Sequence, residues 1–284
     1  MELIFAAALC SVAVSVLLKM AKRFDLSPIH MIAWNYAAAS VLCWFWFKPD
    51  FSHVHLTDTP WGLILALGVL LPGVFLLLVK SLQLAGILKT EIAQRLSVVL
   101  SLAAAYLIFQ EQFSQLKLIG IGLGIVAVCC VLYSNDRAVN AGQKGIFYLA
   151  AVWVGYALID VLLKYISGLG LQFSVTLNLM FVCACVVSFS YVLLKYKHWG
   201  SVRNIAAGLA LGVLNFANIA LYVKAHALLK DTPAIVFAGM NILVVSFGVV
   251  AGVMIFKERL KLASTLGVVL GIASVMCLAY AMGL

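Results

Sequence analysis

The sequence contains ten predominantly apolar runs, each about 20 residues long and separated by short connections. A helix needs about 20 apolar residues to cross the hydrocarbon core of a bilayer. The runs do not alternate between apolar and polar residues, so they predict helices rather than the strands of a barrel. The expected fold class is an all-α integral membrane protein with ten transmembrane helices. The predicted spans are residues 2–19, 29–47, 61–80, 87–109, 115–134, 145–164, 172–194, 204–225, 232–256 and 262–283.

The composition excludes several other classes of protein. Hydrophobic residues make up 65% of the chain and charged residues 10%, and the mean hydropathy of +1.14 exceeds what a soluble domain needs. The net charge of +9 is spread over many short connections, which favours contact with anionic lipids and not with nucleic acid. All seven cysteines lie in apolar runs without metal-ligand spacing. We therefore expect no metal, no cofactor and no disulfide framework.

The two halves of the sequence resemble each other. Residues 108–134 align without a gap on residues 255–281, and ten of these 27 positions are identical. The tetrapeptide Val16–Lys19 recurs as Val161–Lys164. This self-similarity indicates that a unit of five spans has been duplicated.

The duplication predicts the arrangement of the halves. Five is an odd number, so the second unit enters the membrane from the opposite side. Inverted repeats of this kind are typical of secondary transporters, whose substrate sites lie between the repeats near the middle of the membrane. The expected units are residues 1–136 and 145–284.

Residues that occur in both repeats are expected to serve the scaffold. The fifth and tenth spans each carry two glycines one helical turn apart, which allows close helix packing, and we expect these two spans to contact each other. A glutamate precedes each of these spans, where the positive end of the helix dipole favours a carboxylate, so we expect it to cap that span. The residues are Gly120, Gly124, Gly267, Gly271, Glu111 and Glu258.

The fourth span carries charges that its counterpart in the second repeat lacks. Glu91 and Arg95 are four residues apart, so they are neighbours on one helical face and can pair. A stripe of polar residues, Thr90, Gln94, Ser97 and Ser101, continues beside them. Because charges inside a bilayer are costly, this stripe should face the interior of the bundle or a wet cavity. The alternative is that Glu91 and Arg95 neutralise each other as packing contacts between helices.

Other polar faces occur in only one repeat. The sixth span places Trp153, Tyr156 and Asp160 on one face together with Lys164, and the eighth span does the same with two asparagines and Tyr222. For the asparagines, hydrogen bonding between helices and contact with a ligand are equally good interpretations. The candidate substrate-binding residues are Glu91, Gln94, Arg95, Trp153, Tyr156, Asp160, Asn215, Asn218, Asn241 and Asn35.

In both halves an apolar helix is followed by a glutamate in a turn, at Ile108–Glu111 and Ile255–Leu260, and then by a glycine-bearing span. This pattern resembles the EamA branch of the drug/metabolite transporter superfamily. The resemblance implies transport of small metabolites, often amino acid export, through a cavity between the first four helices of each half. It also places the fifth and tenth helices outside that cavity. Unlike members that have a proline early in the fourth span, this chain has Lys89–Glu91 there.

The resulting hypothesis is a secondary transporter, most often an exporter in such families, for amino acids or other zwitterions. Arg95 would bind a carboxylate with help from Gln94 and Asn241. Glu91 or Asp160 would meet an ammonium group or take a coupling proton, and Trp153 and Tyr156 would pack the apolar part of the substrate. The expected partners are this small molecule, a proton and membrane lipids, but no nucleic acid. The protein is expected in a bacterial inner membrane as a monomer or loose homodimer.

Three alternatives remain open, and one of them is a purely structural subunit of a larger assembly. An organic-anion or sugar-phosphate exchanger would use Lys80, Arg95 and Lys224 together. A membrane-embedded enzyme or lipid-handling protein would belong to a different class. The sequence contains no HExxH motif, no Gly-rich phosphate loop and no nucleophile–base constellation, so we do not expect an enzyme.

The distribution of positive charge predicts the orientation of the chain. Of the 19 Lys and Arg residues, 13 lie in or beside the odd-numbered connections and five in or beside the even-numbered ones. The remaining one is Arg95. Because connections rich in Lys and Arg face the cytoplasm, this distribution places both termini outside it. The resemblance to the EamA branch implies the opposite, with both termini in the cytoplasm, so both orientations stay open.

Overall fold

The computed structural model describes residues 1–52, 54–55, 59–108, 113–133, 143–259 and 262–283. These residues form helices, and no β-strand occurs among them, so the all-α prediction is confirmed. Within the described residues, eight helical segments are long and apolar enough to cross a membrane. A five-residue π-helix, Ala251–Ile255, continues α10. The α-helices are α1 (Glu2–Met20), α2 (Pro28–Phe47), α3 (Trp61–Leu84), α4 (Ile87–Arg95), α5 (Ser97–Ile108), α6 (Gln115–Tyr133), α7 (Gln143–Gly168), α8 (Phe173–Tyr196), α9 (Val202–Leu228), α10 (Pro233–Val250) and α11 (Leu262–Gly283).

Local sequence signals account for several helix ends. Pro28 and Pro233 occupy the first turns of α2 and α10, where the missing N–H is not needed. The side chain of Ser201 accepts a hydrogen bond from the backbone N–H of Asn204 and so caps α9. Lys48 ends α2 in the left-handed conformation, with φ of 44°. These ends lie close to the boundaries predicted from the apolar runs.

The prediction of one helix over residues 87–109 is wrong. The fourth span is broken at Leu96, which has φ of −80° and ψ of 2°, into α4 and α5. The Ser97 hydroxyl donates to the carbonyl oxygen of Gln94 at 2.7 Å. The indole Nε1 of Trp153 donates to the carbonyl oxygen of Leu96 at 3.0 Å. Because these donors satisfy carbonyls at the break, the chain can interrupt the helix without leaving them unpaired in the interior.

The helices of the fifth and tenth predicted spans, α6 and α11, pack along each other. The Ser274 hydroxyl donates to the carbonyl oxygen of Gly120 at 2.6 Å. A Cβ atom at Gly124 would lie 2.8 Å from Ser274 Oγ, and one at Gly267 would lie 3.1 Å from the carbonyl oxygen of Ala127. The predicted contact between these glycine-bearing spans is therefore confirmed.

Helices from opposite halves of the chain pack against each other elsewhere in the bundle. α1 contacts α9 and α10, α2 contacts α8 and α9, and α3 contacts α7 and α8. Glycines allow the closest of these approaches, since a Cβ at Gly212 in α9 would lie 2.6 Å from the carbonyl oxygen of Asn35 in α2. The interior of the bundle is therefore bounded by both halves.

Short connections assign the helix ends to two ends of the bundle. At the first, which we call the α4 end, α1, α3 and α8 end and α2, α4 and α9 begin. The backbone N–H of Ser27 donates to Asn204 Oδ1 there at 2.9 Å, and the rings of His30 and Tyr196 are 5.1 Å apart. At the opposite end, the α5 end, α5, α7 and α9 end and α8 and α10 begin.

Glu258 caps a helix, but not the helix that follows it. Its carboxylate accepts hydrogen bonds from the backbone N–H groups of Ile87 at 2.8 Å and Leu88 at 3.2 Å, at the start of α4. The prediction that Glu258 caps α11 is therefore wrong, because the loop after the π-helix turns the side chain toward α4. Glu111, for which the same role was predicted, lies outside the described residues.

Candidate functional site

An interior cavity of about 730 Å³ lies between helices of both halves. This volume is within the range of about 300–1,000 Å³ that is typical of small-molecule sites. Its lining is mainly apolar, with a limited number of polar groups. The polar lining residues are Ser11, Ser15, Tyr36, Gln94, Arg95, Ser97, Ser101, Tyr156, Asp160, Lys164, Asn215, Asn218, Tyr222, His226 and Asn241.

The cavity is displaced toward the α5 end of the bundle. There its lining includes Phe173, the first residue of α8, and His226, near the end of α9. Toward the α4 end the lining stops at Ser15 and Gln94, and Lys19 is not part of it. The cavity therefore extends to one end of the bundle and is closed at the other.

Arg95 is the last residue of α4 and brings a positive charge to the cavity. One guanidinium nitrogen, Nη2, donates to the hydroxyl of Ser11, whereas the buried Nε has no hydrogen-bond partner among the described residues. The break at Leu96 ends the helix immediately after Arg95, and a cation is favoured at a helix C-terminus. The guanidinium is thus held in place with part of its donor capacity unused.

Asp160 brings a negative charge from α7 to the same cavity. Its side chain is exposed, and it lies among the residues that line the cavity inside the bundle. Arg95 is within electrostatic range of Asp160 and of the hydroxyl groups of Tyr156 and Tyr222. The cavity therefore contains charges of both signs, carried by helices from different halves.

Two further polar atoms in the lining lack partners. Tyr36 is 1% exposed, and its hydroxyl makes no hydrogen bond with the described residues. The same is true of the carbonyl oxygen of the Asn218 side chain. The Tyr36 ring lies 6.0 Å from that of Phe75 and 6.2 Å from that of Phe181, and both phenylalanines line the cavity. Because buried polar atoms are normally hydrogen-bonded, these two are available to a ligand or to water.

Seven of the ten candidate residues line the cavity, and three do not. The seven are Gln94, Arg95, Tyr156, Asp160, Asn215, Asn218 and Asn241. Trp153 donates to Leu96 instead of packing against the cavity. Asn35 is fully buried and accepts a hydrogen bond from Nδ2 of Asn215 at 3.3 Å. Asn215 therefore makes a hydrogen bond between two helices and also lines the cavity. Neither of the two interpretations of the asparagine face, hydrogen bonding between helices or contact with a ligand, is excluded.

Glu91, the third of these residues, lies behind the cavity wall. It is 1% exposed, and neither carboxylate oxygen has a hydrogen-bond partner among the described residues. A Cβ at Gly248 in α10 would lie 2.9 Å from Glu91 Cγ, so the side chain fills the space that this glycine leaves open. Glu91 and Arg95, which are close enough on the helix to pair, form no hydrogen bond with each other.

Sequence reasoning missed several lining residues. Tyr36 lies in the middle of α2, next to the candidate residue Asn35, and this position was the available signal. Ser11 and Ser15 are small polar residues on α1 whose role depends on which helix faces them. Ser15 also corresponds to Asp160 in the alignment of the repeats, which could have identified it.

The three cations of the alternative exchanger hypothesis do not meet at this cavity. Arg95 lines it, but Lys80 and Lys224 do not. Both lysines are exposed, and Lys224 Nζ lies 5.9 Å from the centre of the Trp46 ring.

Apolar spans around a charged interior cavity are the architecture of a polytopic membrane transport protein. The chain belongs to the EamA-like transporter family, whose profile matches residues 2–133. This membership places it in the drug/metabolite transporter superfamily, whose EamA members are transporters and not enzymes. The chain is accordingly an integral membrane protein.

Two comparisons extend over nearly the whole chain. An uncharacterized protein of Haemophilus influenzae is 42% identical over 287 residues, which cover 98% of this chain and 97% of that protein. A protein of known crystal structure has a TM-score of 0.55 at 14% identity and covers 96% of both chains. This second likeness shows the fold alone.

Proposed function

We propose that this protein is a secondary transporter for small polar metabolites that carry both charges, such as amino acids and other zwitterions. The observation that carries the proposal is the presence of Arg95 and Asp160 on different helices of one interior cavity. A zwitterion can meet both residues with its own carboxylate and ammonium groups, so that no net charge is added to the interior. Export is the expected direction, as it is for many members of the family.

The roles of the lining residues follow from their chemistry. The guanidinium of Arg95 presents a planar fork of donors that suits a carboxylate. Gln94 and Asn241 lie beside it in the lining and supply further polar contacts. Asp160 accepts from the ammonium group, and the ring of Tyr156, one turn before it on α7, packs against the apolar part of the substrate.

The proposal includes ten spans arranged as two inverted five-helix repeats, residues 1–136 and 145–284. α4 and α5 together have the length of one span. The helix contacts are reciprocal under this arrangement: α1 packs on α9 as α7 packs on α3, and α2 packs on α9 as α8 packs on α3. α1 runs toward the α4 end and its counterpart α7 runs toward the α5 end. This pattern is expected of repeats related by a two-fold axis in the membrane plane.

The membrane is proposed to be a bacterial inner membrane, and the Haemophilus relative supports a bacterial context. The α4 end holds the odd-numbered connections, which are the more basic, so this end is proposed to face the cytoplasm. The cavity would then open to the opposite side of the membrane in this conformation.

The test is a thermal-shift screen of the detergent-purified protein against amino acids, amines, sugar phosphates and nucleotides. A ligand that binds the folded state alone stabilises it by about 2.7 kcal/mol at a hundredfold excess over its dissociation constant. We expect an amino acid or another zwitterion to raise the unfolding temperature, and Arg95→Ala and Asp160→Asn each to abolish this rise.

Lys224→Ala is the matched control, because it removes an exposed cation that does not line the cavity. The rise should survive in this variant. A rise that survives Arg95→Ala and Asp160→Asn would contradict the proposed site, and stabilisation by sugar phosphates alone would favour the anion exchanger.

A further inference from the structure

Glu258 joins three separate elements at the α4 end of the bundle. It lies in the loop after the π-helix, and its carboxylate accepts the first two hydrogen bonds of α4, from Ile87 and Leu88. It also forms an ion pair with Lys19, at the end of α1. The side chains are only 15% (Lys19) and 14% (Glu258) exposed, so the pair is largely shielded from water.

The surrounding backbone is shaped to hold this carboxylate. Gly86 has φ of 95°, and a Cβ added there would lie 2.8 Å from a carboxylate oxygen of Glu258. A Cβ at Gly252 would lie 3.1 Å from the other oxygen, and the N–H of Glu258 donates to the carbonyl of Gly252 at 2.9 Å. Lys19 Nζ is 4.2 Å from the centre of the Phe256 ring. The contact between Glu258 and Lys19 is therefore enclosed by surrounding backbone and side chains and differs from an exposed ion pair on a protein surface.

This site lies where the cavity is closed. Ser15, one helical turn before Lys19 on α1, lines the cavity, whereas Lys19 does not. At the opposite end the cavity lining includes Lys164, the residue that corresponds to Lys19 in the alignment of the repeats. Of these two equivalent lysines, Lys164 thus lines the cavity and Lys19 does not.

We propose that Lys19, Glu258 and the amide groups of Ile87 and Leu88 form a latch that keeps the α4 end of the cavity shut. Opening that end requires α1 and α4 to separate from the loop after α10, and Glu258 holds both of them. Charge-assisted hydrogen bonds to a helix N-terminus and a shielded ion pair are stronger than neutral contacts. Because they must be broken before the α4 end can open, they raise the barrier to opening. The latch rests on the proposed transport function, since it controls access to the proposed substrate site.

The test measures which face of the membrane gives access to Gln94, a half-buried residue at which the cavity lining stops toward the α4 end. Gln94→Cys is introduced into a variant whose seven native cysteines are replaced, and a membrane-impermeant maleimide is added to right-side-out and to inside-out vesicles. With the latch intact, labelling should occur from one face only. Glu258→Gln and Lys19→Met should each allow labelling from the other face, at a rate at least about tenfold higher than that measured from this face with the latch intact. The double variant should increase the rate little further, because both changes break the same pair.

Lys22→Met is the control, because it removes an exposed cation from the same end of the bundle without touching the latch. It should leave labelling one-sided. If Glu258 were only a helix cap, Glu258→Gln would lower the unfolding temperature while labelling stayed one-sided, and this result would overturn the proposal. Lys19→Met retains both hydrogen bonds to α4, so it provides the test if Glu258→Gln does not fold.

The labelling needs no substrate, which separates the latch from the proposed function. One-sided labelling in every variant would refute the latch, even if a zwitterion bound to the protein. A latch that responds as expected in a protein that no ligand stabilises would instead contradict the substrate assignment.

Discussion

Glu91 places a carboxyl group inside the bundle, where neither oxygen accepts a hydrogen bond from a described residue. The groups around it are the hydroxyl of Ser15, the guanidinium of Arg95 and the phenol of Tyr156, together with Gly248 of α10. A buried carboxyl group requires either a cation or a proton as its partner. We propose that Glu91 carries the coupling proton that the transport hypothesis includes, because neither Arg95, which donates to Ser11, nor any other described residue donates a hydrogen bond to its carboxylate.

Glu91→Gln tests this assignment in proteoliposomes. The variant keeps the shape of the side chain but cannot exchange a proton, so a pH gradient should no longer drive net accumulation of substrate. Exchange of internal for external substrate, which needs no proton, should continue. The measurement is uptake of a labelled amino acid with and without an imposed pH gradient. Equal gradient-driven accumulation by Glu91→Gln and the unaltered protein would exclude Glu91 as the proton carrier.

Residue types and spacing identified the charges of the site but not their contacts. Arg95 and Asp160 stand out in the sequence because charged residues within apolar runs are rare. The partner of Arg95 could not be predicted, because Ser11 is one of several small polar residues on α1, and only the packing of α1 against the other helices decides which of them it meets.

The break in the fourth span is the element that distinguishes this bundle from a set of continuous helices. No proline or glycine marks it, since the residues around it are Arg95, Leu96 and Ser97. The carbonyl groups at the break accept hydrogen bonds from the nearby Ser97 hydroxyl and from the indole of Trp153 on α7, which is 57 residues away from Leu96 in the chain. Apolar periodicity cannot predict an interruption that a distant side chain stabilises.

Trp153→Phe should weaken the break while leaving the cavity lining unchanged. The variant keeps an aromatic ring but loses the hydrogen bond to Leu96, which is worth about 0.5–1.5 kcal/mol. We expect the free energy of unfolding to fall by about 1 kcal/mol and ligand affinity to change little. Chemical denaturation in detergent measures the free energy of unfolding, and ligand titration measures the affinity. Unaltered stability would show that the indole does not support the break.

The packing of α6 against α11 depends on particular glycines. A Cβ at Gly124 would meet Val99 and Ser274, whereas a Cβ at Gly122, two residues earlier and exposed, meets nothing within 4 Å. We expect Gly124→Ala to lower the free energy of unfolding by about 1–3 kcal/mol through overpacking. Gly122→Ala should be neutral or stabilising by up to about 1 kcal/mol, because alanine favours the helix. Equal effects of the two changes would argue against close packing of these helices.

At the scale of the whole molecule, the sequence predicted an all-helical membrane protein and most span boundaries, because bilayer thickness limits the length of each run. The internal similarity also indicated which helices should pack, as α6 and α11 do. The direction of the Glu258 side chain, toward α4 and not toward α11, could not be predicted in this way. Its target, the start of α4, is 170 residues distant in the chain and is reached only after the two halves assemble.

The orientation of the molecule has its own test. Because the odd-numbered connections are more basic, the C-terminus is expected outside the cytoplasm. A cysteine introduced by Leu284→Cys should react with a membrane-impermeant maleimide in intact cells whose outer membrane is permeabilised. The unaltered protein is the control for reaction at native cysteines. Labelling of Leu284→Cys only after the inner membrane is broken would reverse the proposed orientation, together with the side to which the cavity opens.

The most direct test of transport through the proposed site is counterflow in proteoliposomes loaded with the amino acid that most stabilises the purified protein. We expect external labelled amino acid to be taken up against the internal pool, and we expect Arg95→Ala and Asp160→Asn to abolish this uptake while Lys224→Ala retains it. Counterflow that persists in Arg95→Ala and Asp160→Asn would contradict the proposed site. Binding without counterflow in the unaltered protein would contradict transport itself.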